Sequence, residues 1–213
     1  MTPTLRTLAV GDLDDVVSVH STAFPGFLMT LLGPGFLRSY YQAVLDCDDA
    51  VFLGQFGETG RLQGFVAGFA KPASFYALLS GRKKKMLIAA AFHLLRRPSL
   101  WSRVLENAGA TSQRATDNEP GAAELASIAV LPTAQGRGYG RMLIDAFLSA
   151  ARRHDANRVY LTTDADNNEA VNRLYARAGF QLAGTSMRKG GRKMNHYTFL
   201  LGDQSGRDQK GEA

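Results

Sequence analysis

The spacing of apolar residues changes several times along this chain, and each spacing predicts a different element. Residues 5–10 alternate weakly between apolar and polar, which favours a first strand. After Asp12 the apolar residues recur every three or four positions, as on one face of a helix, and a second pattern of this kind begins at Gly35. Residues 50–56 and 62–70 are apolar runs on either side of a glycine-containing turn, which predicts a hairpin.

The stretch from Glu124 to Phe180 has the most informative pattern. It opens with small and branched apolar residues that end at Pro132, which predicts a buried strand. Residues 135–141 are rich in glycine and lead into a helical pattern. A strand, a glycine loop and a helix start form an anion site, because unpaired backbone N–H groups and the helix dipole favour negative charge there. Further strands are predicted at 158–163, 181–187 and 194–200.

An insertion, residues 72–121, separates the third predicted strand from the fourth. Residues 82–97 place four cations, an apolar stretch and two more cations in one predicted helix. Pro98 ends that helix, and a second helix is predicted from residue 100 to residue 105. The first helix must bury its apolar side chains, either against the domain as a lid over the acceptor groove, which we favour, or in the plane of an anionic membrane.

Composition narrows the class of protein. A length of 213 residues, with 45% hydrophobic and 21% charged residues, favours one globular domain, 1–202, followed by a polar tail, 203–213. The single cysteine, Cys47, allows no internal disulfide and favours the cytoplasm, and we expect neither a secretory signal nor a metal site. The formal charge of +6 is concentrated in the insertion without interleaved aromatic residues, so we expect no nucleic-acid partner.

Three kinds of nucleotide-binding loop contain comparable glycines. A P-loop requires Gly-Lys-Ser/Thr at its end, but Gly140 is followed by Arg141 and Met142. The dinucleotide-binding fingerprint places its third glycine one position later than Gly140. The segment Gln135-Gly136-Arg137-Gly138-Tyr139-Gly140 matches the pattern Gln/Arg-x-x-Gly-x-Gly/Ala at every fixed position, and it resembles the pyrophosphate loop of the GNAT acetyltransferase superfamily.

A second segment carries the same resemblance. Asn168 precedes Tyr175 by seven residues on a predicted helix, and Gly179-Phe180 follows, as in the second signature of that superfamily. The resemblance covers roughly residues 122–200. It implies an α/β fold, with a central mixed and twisted sheet of about six to seven strands flanked by helices and with the helical insertion before the fourth strand.

The resemblance also implies acetyl-CoA as the donor, without a metal. The pyrophosphate would lie on the N–H groups of the glycine loop, where Arg137 and Arg141 add positive charge. A backbone N–H of the fourth strand, near Val130, would contact the thioester oxygen. The predicted donor-binding residues are Ile128, Val130, Gln135, Gly136, Arg137, Gly138, Tyr139, Gly140, Arg141 and Asn168.

Two residues are the candidates for proton transfer. The resemblance puts the hydroxyl of Tyr175 near the coenzyme sulfur, as the general acid for the leaving thiolate. Glu124 lies eleven residues before Gln135, which is the spacing of the general base in the superfamily's histone acetyltransferases, and its apolar neighbours would partly desolvate the carboxylate. Weaker rivals for the base are Asp164, His20 and His196.

The acceptor is the least defined part of the prediction. By the resemblance it would meet residues 24–32 and the basic segment 188–196, which either suits an anionic acceptor or is a solvated turn. We expect transfer of an acetyl or longer acyl group to a primary amine of a small molecule or saccharide. The alternatives are an interaction module on this scaffold, peripheral to the inner membrane face through 82–97, and acetylation of protein N-termini or lysines. A homodimer is compatible with each of these.

Overall fold

The structure is a computed structural model that describes residues 3–96, 120–188 and 191–202. The second helix predicted in the insertion and the polar tail 203–213 lie outside these residues. The elements predicted on both sides of the insertion are present, with boundaries that differ by a few residues.

Seven strands of the described residues form one mixed sheet, which confirms the expected fold class. They are β1 (Thr4–Thr7), β2 (Ala50–Phe56), β3 (Leu62–Phe69), β4 (Ala122–Val130), β5 (Arg158–Asp164), β6 (Gln181–Met187) and β7 (Lys193–Leu200). Their order is β1-β2-β3-β4-β5-β7-β6. Neighbouring strands are antiparallel except β4 and β5, which are parallel because a helix crosses over between them.

Helices cover both faces of this sheet. They are α1 (Leu13–Ala23), α2 (Leu28–Leu31), α3 (Pro34–Leu45), α4 (Pro72–Arg96), α5 (Tyr139–Arg153) and α6 (Glu169–Arg177). Helices α1, α3 and the start of α4 pack on one face, which we call the α1 face, around Tyr41 and Phe65. Helices α5 and α6 pack on the other, the α5 face, around Phe147 and Val159. Successive strand residues point to opposite faces, so these two cores assign each strand side chain to one face.

Helix α4 is longer than the sequence pattern predicts. It begins at Pro72 instead of Arg82, because a proline is well suited to the first helical turn and because Phe75 and Tyr76 anchor the next turn in the core of the α1 face. The predicted lysine-rich helix is therefore the second half of a single 25-residue helix.

The second half of α4 lies against the beginning of α3. A Cβ on Gly33 would lie 2.5 Å from the ring of His93, and one on Gly35 would lie 3.3 Å from the Ala89 carbonyl. Glycine at both positions thus permits the two helices to approach closely. This contact buries one side of α4 against α3, and a position of the helix over the acceptor groove stays a prediction.

Candidate active site

The sheet divides where β4 and β5 stop pairing. Three residues of each strand pair, and Glu124 with Tyr160 is the last pair. Beyond it β4 continues along β3 to Val130, whereas β5 continues along β7 to Asp164. The result is a split between the carboxyl ends of two parallel strands, which is the edge at which α/β sheets bind ligands.

Two amides of β4 face this split. The N–H of Leu131 donates to the carbonyl of Gln63 on the β3 side, over 2.8 Å. Alternate residues of a strand direct their N–H groups to opposite sides. The N–H groups of Ile128 and Val130 therefore point away from β3 and into the split. Both residues are among the predicted donor-binding residues.

Glu124 lies at the closed end of the split with its side chain on the α1 face. The residue is 5% exposed, and the hydroxyl of Tyr76 in α4 donates to its Oε2 over 2.8 Å. The sequence analysis missed Tyr76, because 48 residues separate the two and no motif includes it. The signal that could have found it is an aromatic residue with a hydroxyl in the first turns of the insertion.

The β4 backbone is irregular just beyond Glu124. Leu125 and Ser127 each have a partner on β3, but Ala126 between them has none, because the register shifts by one residue. Ala126 packs against the core of the α1 face, whereas Leu125 belongs to the core of the α5 face. The shift lets the split begin directly after the buried carboxylate.

The glycine loop connects β4 to α5 in a conformation that two of its glycines allow. Gly136 and Gly138 have φ values of +77° and +78°, in the left-handed region, and Gly138 is the N-cap of α5. Gly140 has a different role, since a Cβ there would lie 3.1 Å from the side chain of Leu174. The first two glycines shape the loop, and the third allows α6 to pack against α5.

The loop carries the donors that an anion needs. Among the described residues, the N–H groups of residues 136–141 have no backbone carbonyl as partner, and the first helical bond runs from Met142 N–H to the Gly138 carbonyl at 3.0 Å. The guanidinium of Arg141 donates to the Asp145 carboxylate and, over 2.7 Å, to the Arg177 carbonyl. Its charge is therefore largely neutralised within the protein. Arg137 is exposed beside the amides. The side chains of Gln135, exposed, and Tyr139, buried, frame the same loop.

Asn168 connects the start of α6 to the end of β5. Its Nδ2 donates to Thr163 Oγ1 over 2.9 Å and to the Asp164 carbonyl over 3.1 Å. Asn172, one turn later, donates to the same carbonyl, and its Oδ1 accepts from Asn195 and Tyr197, each over 3.0 Å. These bonds place α6 against β5 and β7, and the sequence analysis missed Asn172.

Tyr175 lies on α6 in the core of the α5 face. It is 4% exposed, and its ring packs against Phe180 and Tyr197, with both ring centres 5.8 Å away. Burial raises the pKa of Tyr175 well above that of an ordinary phenol, and the nearby Tyr197 adds to the rise. The hydroxyl is therefore protonated throughout the physiological pH range.

The two predicted acceptor segments meet across the end of β5. The guanidinium of Arg192 forms a two-point ion pair with Asp164 and lies 5.1 Å from the ring centre of Phe27 in the α1–α2 connection. Hydrogen bonding to the Asp164 carboxylate raises the pKa of Arg192. Asp164 thus neutralises Arg192, which weakens the interpretation of the basic turn as an anion site and commits the Asp164 carboxylate to an ion pair.

His20, one of the rival bases, belongs to a buried network. It is 5% exposed, its Nδ1 lies 2.7 Å from the Tyr41 hydroxyl, and its Nε2 has no partner in the described part of the chain. Burial lowers the pKa of His20 to about 4 and raises that of Tyr41, whose hydroxyl also bonds to Ser127. Through Tyr41, His20 supports the irregular part of β4.

His196, the other rival, lies between two hydroxyl groups on β5 and β6. Its Nδ1 is 3.3 Å from Thr162 Oγ1, and its Nε2 is 2.6 Å from Ser186 Oγ. All three side chains are on the α1 face, beyond the split from Glu124.

Within residues 3–96, 120–188 and 191–202, His, Cys, Asp and Glu side chains form no group of three that could hold a metal ion. In the same residues, the structure contains no helix with the length and apolar character needed to cross a membrane.

Comparison with known proteins identifies similar sequences and folds. Residues 15–180 match the model of the acetyltransferase (GNAT) family. A segment of 64 residues is 42% identical to mycothiol acetyltransferase of Nocardia farcinica, and one of 71 residues is 41% identical to phosphinothricin N-acetyltransferase of Streptomyces coelicolor. The matches cover 30% and 33% of this chain but 21% and 40% of those proteins, so the chain spans well under half of the curated relatives it matches.

A solved structure resembles nearly the whole chain. The Salmonella typhimurium protein yncA, determined with its cofactor acetyl-CoA, superposes with a TM-score of 0.64 over 98% of this chain and 99% of its own length. The sequences are 16% identical, so this likeness concerns the fold alone.

Proposed function

This chain belongs to the acetyltransferase (GNAT) family, and from that premise we propose that it moves an acetyl group from acetyl-CoA to the primary amine of a small molecule or saccharide. The observation that carries the proposal is the split in the sheet, with the buried carboxylate of Glu124 at its closed end and the N–H groups of Ile128 and Val130 along one side.

The residues along the split suit the donor. The amides of residues 136–141 and the exposed Arg137 would hold its pyrophosphate at the start of α5. The positions where Gly136 and Gly138 would carry a Cβ have nothing within 4 Å, so the loop offers an open surface to a phosphate. Ile128 and Val130 N–H would bind carbonyl oxygens of the donor, including that of the thioester. The donor itself supplies the activated acyl group.

Glu124 is the proposed general base. It would take a proton from the acceptor amine as the nitrogen bonds to the acyl carbon. The hydrogen bond from Tyr76 holds the carboxylate in one orientation at the closed end of the split, and burial excludes water from it. Tyr76 contributes as a positioning residue, because it acts through Glu124.

Tyr175 is the proposed general acid. It would give its proton to the sulfur as the carbon–sulfur bond breaks, which leaves free coenzyme A and the acetylated amine. Tyr175 belongs to the core of the α5 face, whereas Glu124 contacts the α1 face, so the two proton transfers would occur on opposite sides of the split. The raised pKa makes Tyr175 a weaker acid than an ordinary phenol, so the transfer requires that the same apolar surroundings also raise the pKa of the coenzyme thiol.

Thiol release tests this function directly. The purified protein is incubated with acetyl-CoA and a panel of amines that includes amino sugars, small alkyl amines, polyamines and a peptide N-terminus, and free coenzyme A and product mass are measured. The proposal expects acetylation of a small or saccharide amine that disappears in Glu124→Gln. Binding of acetyl-CoA without turnover of any amine would overturn it, and turnover of the peptide alone would favour the protein acetyltransferase alternative.

The outward side of α4 supports a second role, attachment to an anionic membrane surface. Lys83, Lys84 and Lys85 are exposed, and on the following turns Ile88 and Leu95 are each 76% exposed while Met86 and Ala90 face α3. A helix that joins a cluster of cations to exposed apolar residues on its outer side complements an anionic bilayer surface. This role is compatible with catalysis, and it would place a cytoplasmic enzyme at the inner membrane face.

A further inference from the structure

The α1 face of the sheet continues beyond the split, where polar side chains of β5, β6 and β7 adjoin the buried Met194. Val159 and Leu161 belong to the α5 face, so Tyr160 and Thr162 between and after them point to the α1 face. Thr162 pairs with His196 on β7, and Ser186 on β6 reaches the same imidazole. Helices α1, α3 and α4 pack over β2, β3 and β4, on the other side of Glu124.

The three side chains are held in one arrangement by two hydrogen bonds. His196 contacts Thr162 Oγ1 through Nδ1 at 3.3 Å and Ser186 Oγ through Nε2 at 2.6 Å. The register of the strands, Glu124 with Tyr160 and Thr162 with His196, places this cluster two residues along the sheet and two strands across from Glu124. At about 3.3 Å per residue and 4.8 Å per strand, the Cα atoms of His196 and Glu124 are about 12 Å apart.

A neutral imidazole has one nitrogen that donates and one that accepts. One of the two hydroxyls therefore receives a hydrogen bond from His196 and keeps its own O–H to donate elsewhere. The other donates its O–H to His196 and keeps lone pairs that can accept. Whichever nitrogen carries the proton, the cluster offers the space above the sheet one donor and one acceptor at a fixed separation.

From this arrangement we infer that Thr162, His196 and Ser186 form a site that binds the hydroxyl groups of a polyhydroxylated amine, such as an amino sugar. A hydroxyl group both donates and accepts, so adjacent hydroxyls of a ring complement the pair of side-chain hydroxyls. Side chains at both ends shorten the Cα separation between His196 and Glu124, so the amine of an acceptor bound at the hydroxyls would be directed toward Glu124. The inference rests on the proposed function and specifies its acceptor class. Thr162 and Ser186 set specificity, and His196 is the positioning residue that orients them.

Two amines of similar ring size test the inference, glucosamine and cyclohexylamine, which has no hydroxyl. Each is acetylated by the wild type and by Ser186→Ala, Thr162→Val and His196→Phe, and kcat/KM is compared with the wild type for each amine separately, which cancels the difference in amine basicity. Thr185→Val is the matched control, because Thr185 pairs with Asn195 and points to the opposite face. Melting temperature and acetyl-CoA affinity are measured for every variant.

The expected result is a loss of about three- to tenfold in kcat/KM for glucosamine in Ser186→Ala and Thr162→Val, the size of one neutral hydrogen bond, with cyclohexylamine unchanged. His196→Phe should lose both contacts and show the larger loss, while Thr185→Val should match the wild type. Equal losses for both amines, or unchanged glucosamine kinetics, would overturn the inference and leave acetyl transfer standing. Failure of every amine to react would overturn the proposed function itself.

Discussion

The Tyr76 hydroxyl donates to Oε2 of Glu124 over 2.8 Å, so a residue of the insertion holds the carboxylate at the closed end of the split. The insertion therefore contacts the proposed base directly, because α4 carries Tyr76 in its first turns and packs against α3 in its later ones.

Loss of the Tyr76 hydrogen bond should impair catalysis less than substitution of Glu124 itself. Glu124→Gln should lower kcat by at least about a hundredfold, as expected for a general base. Tyr76→Phe should lower kcat by about three- to tenfold and move the acidic limb of the pH–rate profile, with little change in KM for acetyl-CoA. Steady-state kinetics over a range of pH measure both effects, and a Tyr76→Phe profile identical to that of the wild type would remove Tyr76 from the mechanism.

Tyr175→Phe should lower turnover by about a hundredfold or more, because the leaving thiolate loses its proton donor. The ring stays packed between Phe180 and Tyr197, so we expect the melting temperature and acetyl-CoA affinity to change little. Pre-steady-state measurement of thiol release tests the step itself. Wild-type rates in this variant would assign the proton to water or another group.

Two substitutions of Gly138 should separate the effect of negative charge in the glycine loop from the effect of backbone strain. Gly138→Asp places a carboxylate where the pyrophosphate is proposed to bind, at a residue with φ +78°. Gly138→Asn is the matched control, because asparagine has the same shape, tolerates this backbone region and is neutral. Calorimetry with acetyl-CoA should show no binding for Asp and weakened binding for Asn, and equal affinities would exclude the loop as the phosphate site.

The neutral, buried His20 should make the protein sensitive to mild acid. Its pKa is about 4 in the folded protein and about 6.5 when unfolded, so the unfolded chain takes up the proton first as the pH falls. The stability that His20 contributes is complete above pH 6.5 and is lost as the pH falls through 4, up to about 3 kcal/mol. Urea unfolding of the wild type and His20→Gln at pH 7.5, 6, 5 and 4 should show a steeper decline for the wild type, and parallel curves would contradict the assignment.

Membrane attachment should depend on the lysines of α4. Replacing Lys83, Lys84 and Lys85 by Glu removes about 1 kcal/mol of attraction per cation at an anionic surface, so binding to phosphatidylserine-containing vesicles should fall at least a hundredfold in low salt. Arg152→Glu with Arg153→Glu, at exposed cations of α5, is the control and should bind like the wild type. Absence of vesicle binding by the wild type at any salt concentration would leave the lid over the acceptor groove as the remaining hypothesis for α4.

The fold class and the glycine loop could be predicted because their signals are local. A strand, three glycines and a helix start are contiguous in sequence, and the left-handed backbone at Gly136 and Gly138 requires glycine whatever surrounds it. The start predicted for α4 was wrong, because the anchoring of Phe75 and Tyr76 in the core depends on tertiary contacts.

Several contacts that assemble the candidate site join residues far apart in the sequence, and the sequence did not reveal them. Asn172 joins α6 to β7, and Arg192 pairs with Asp164, over more than twenty residues in each case. Nor could the basic turn be interpreted correctly from charge alone, since the carboxylate that neutralises Arg192 comes from a different strand. The roles of Glu124, Tyr175 and the donor-binding residues stay predictions.

The short pairing of β4 with β5 has a mechanical consequence. Three pairs of residues join strands β1–β4 to strands β5–β7–β6, so the sheet consists of two halves that are connected by a short paired segment. A ligand that fills the split and bonds to both halves would couple them mechanically. We therefore expect acetyl-CoA to slow amide hydrogen exchange at Ile128 and Val130. We also expect it to make the two halves of the sheet unfold together, as a single cooperative unit.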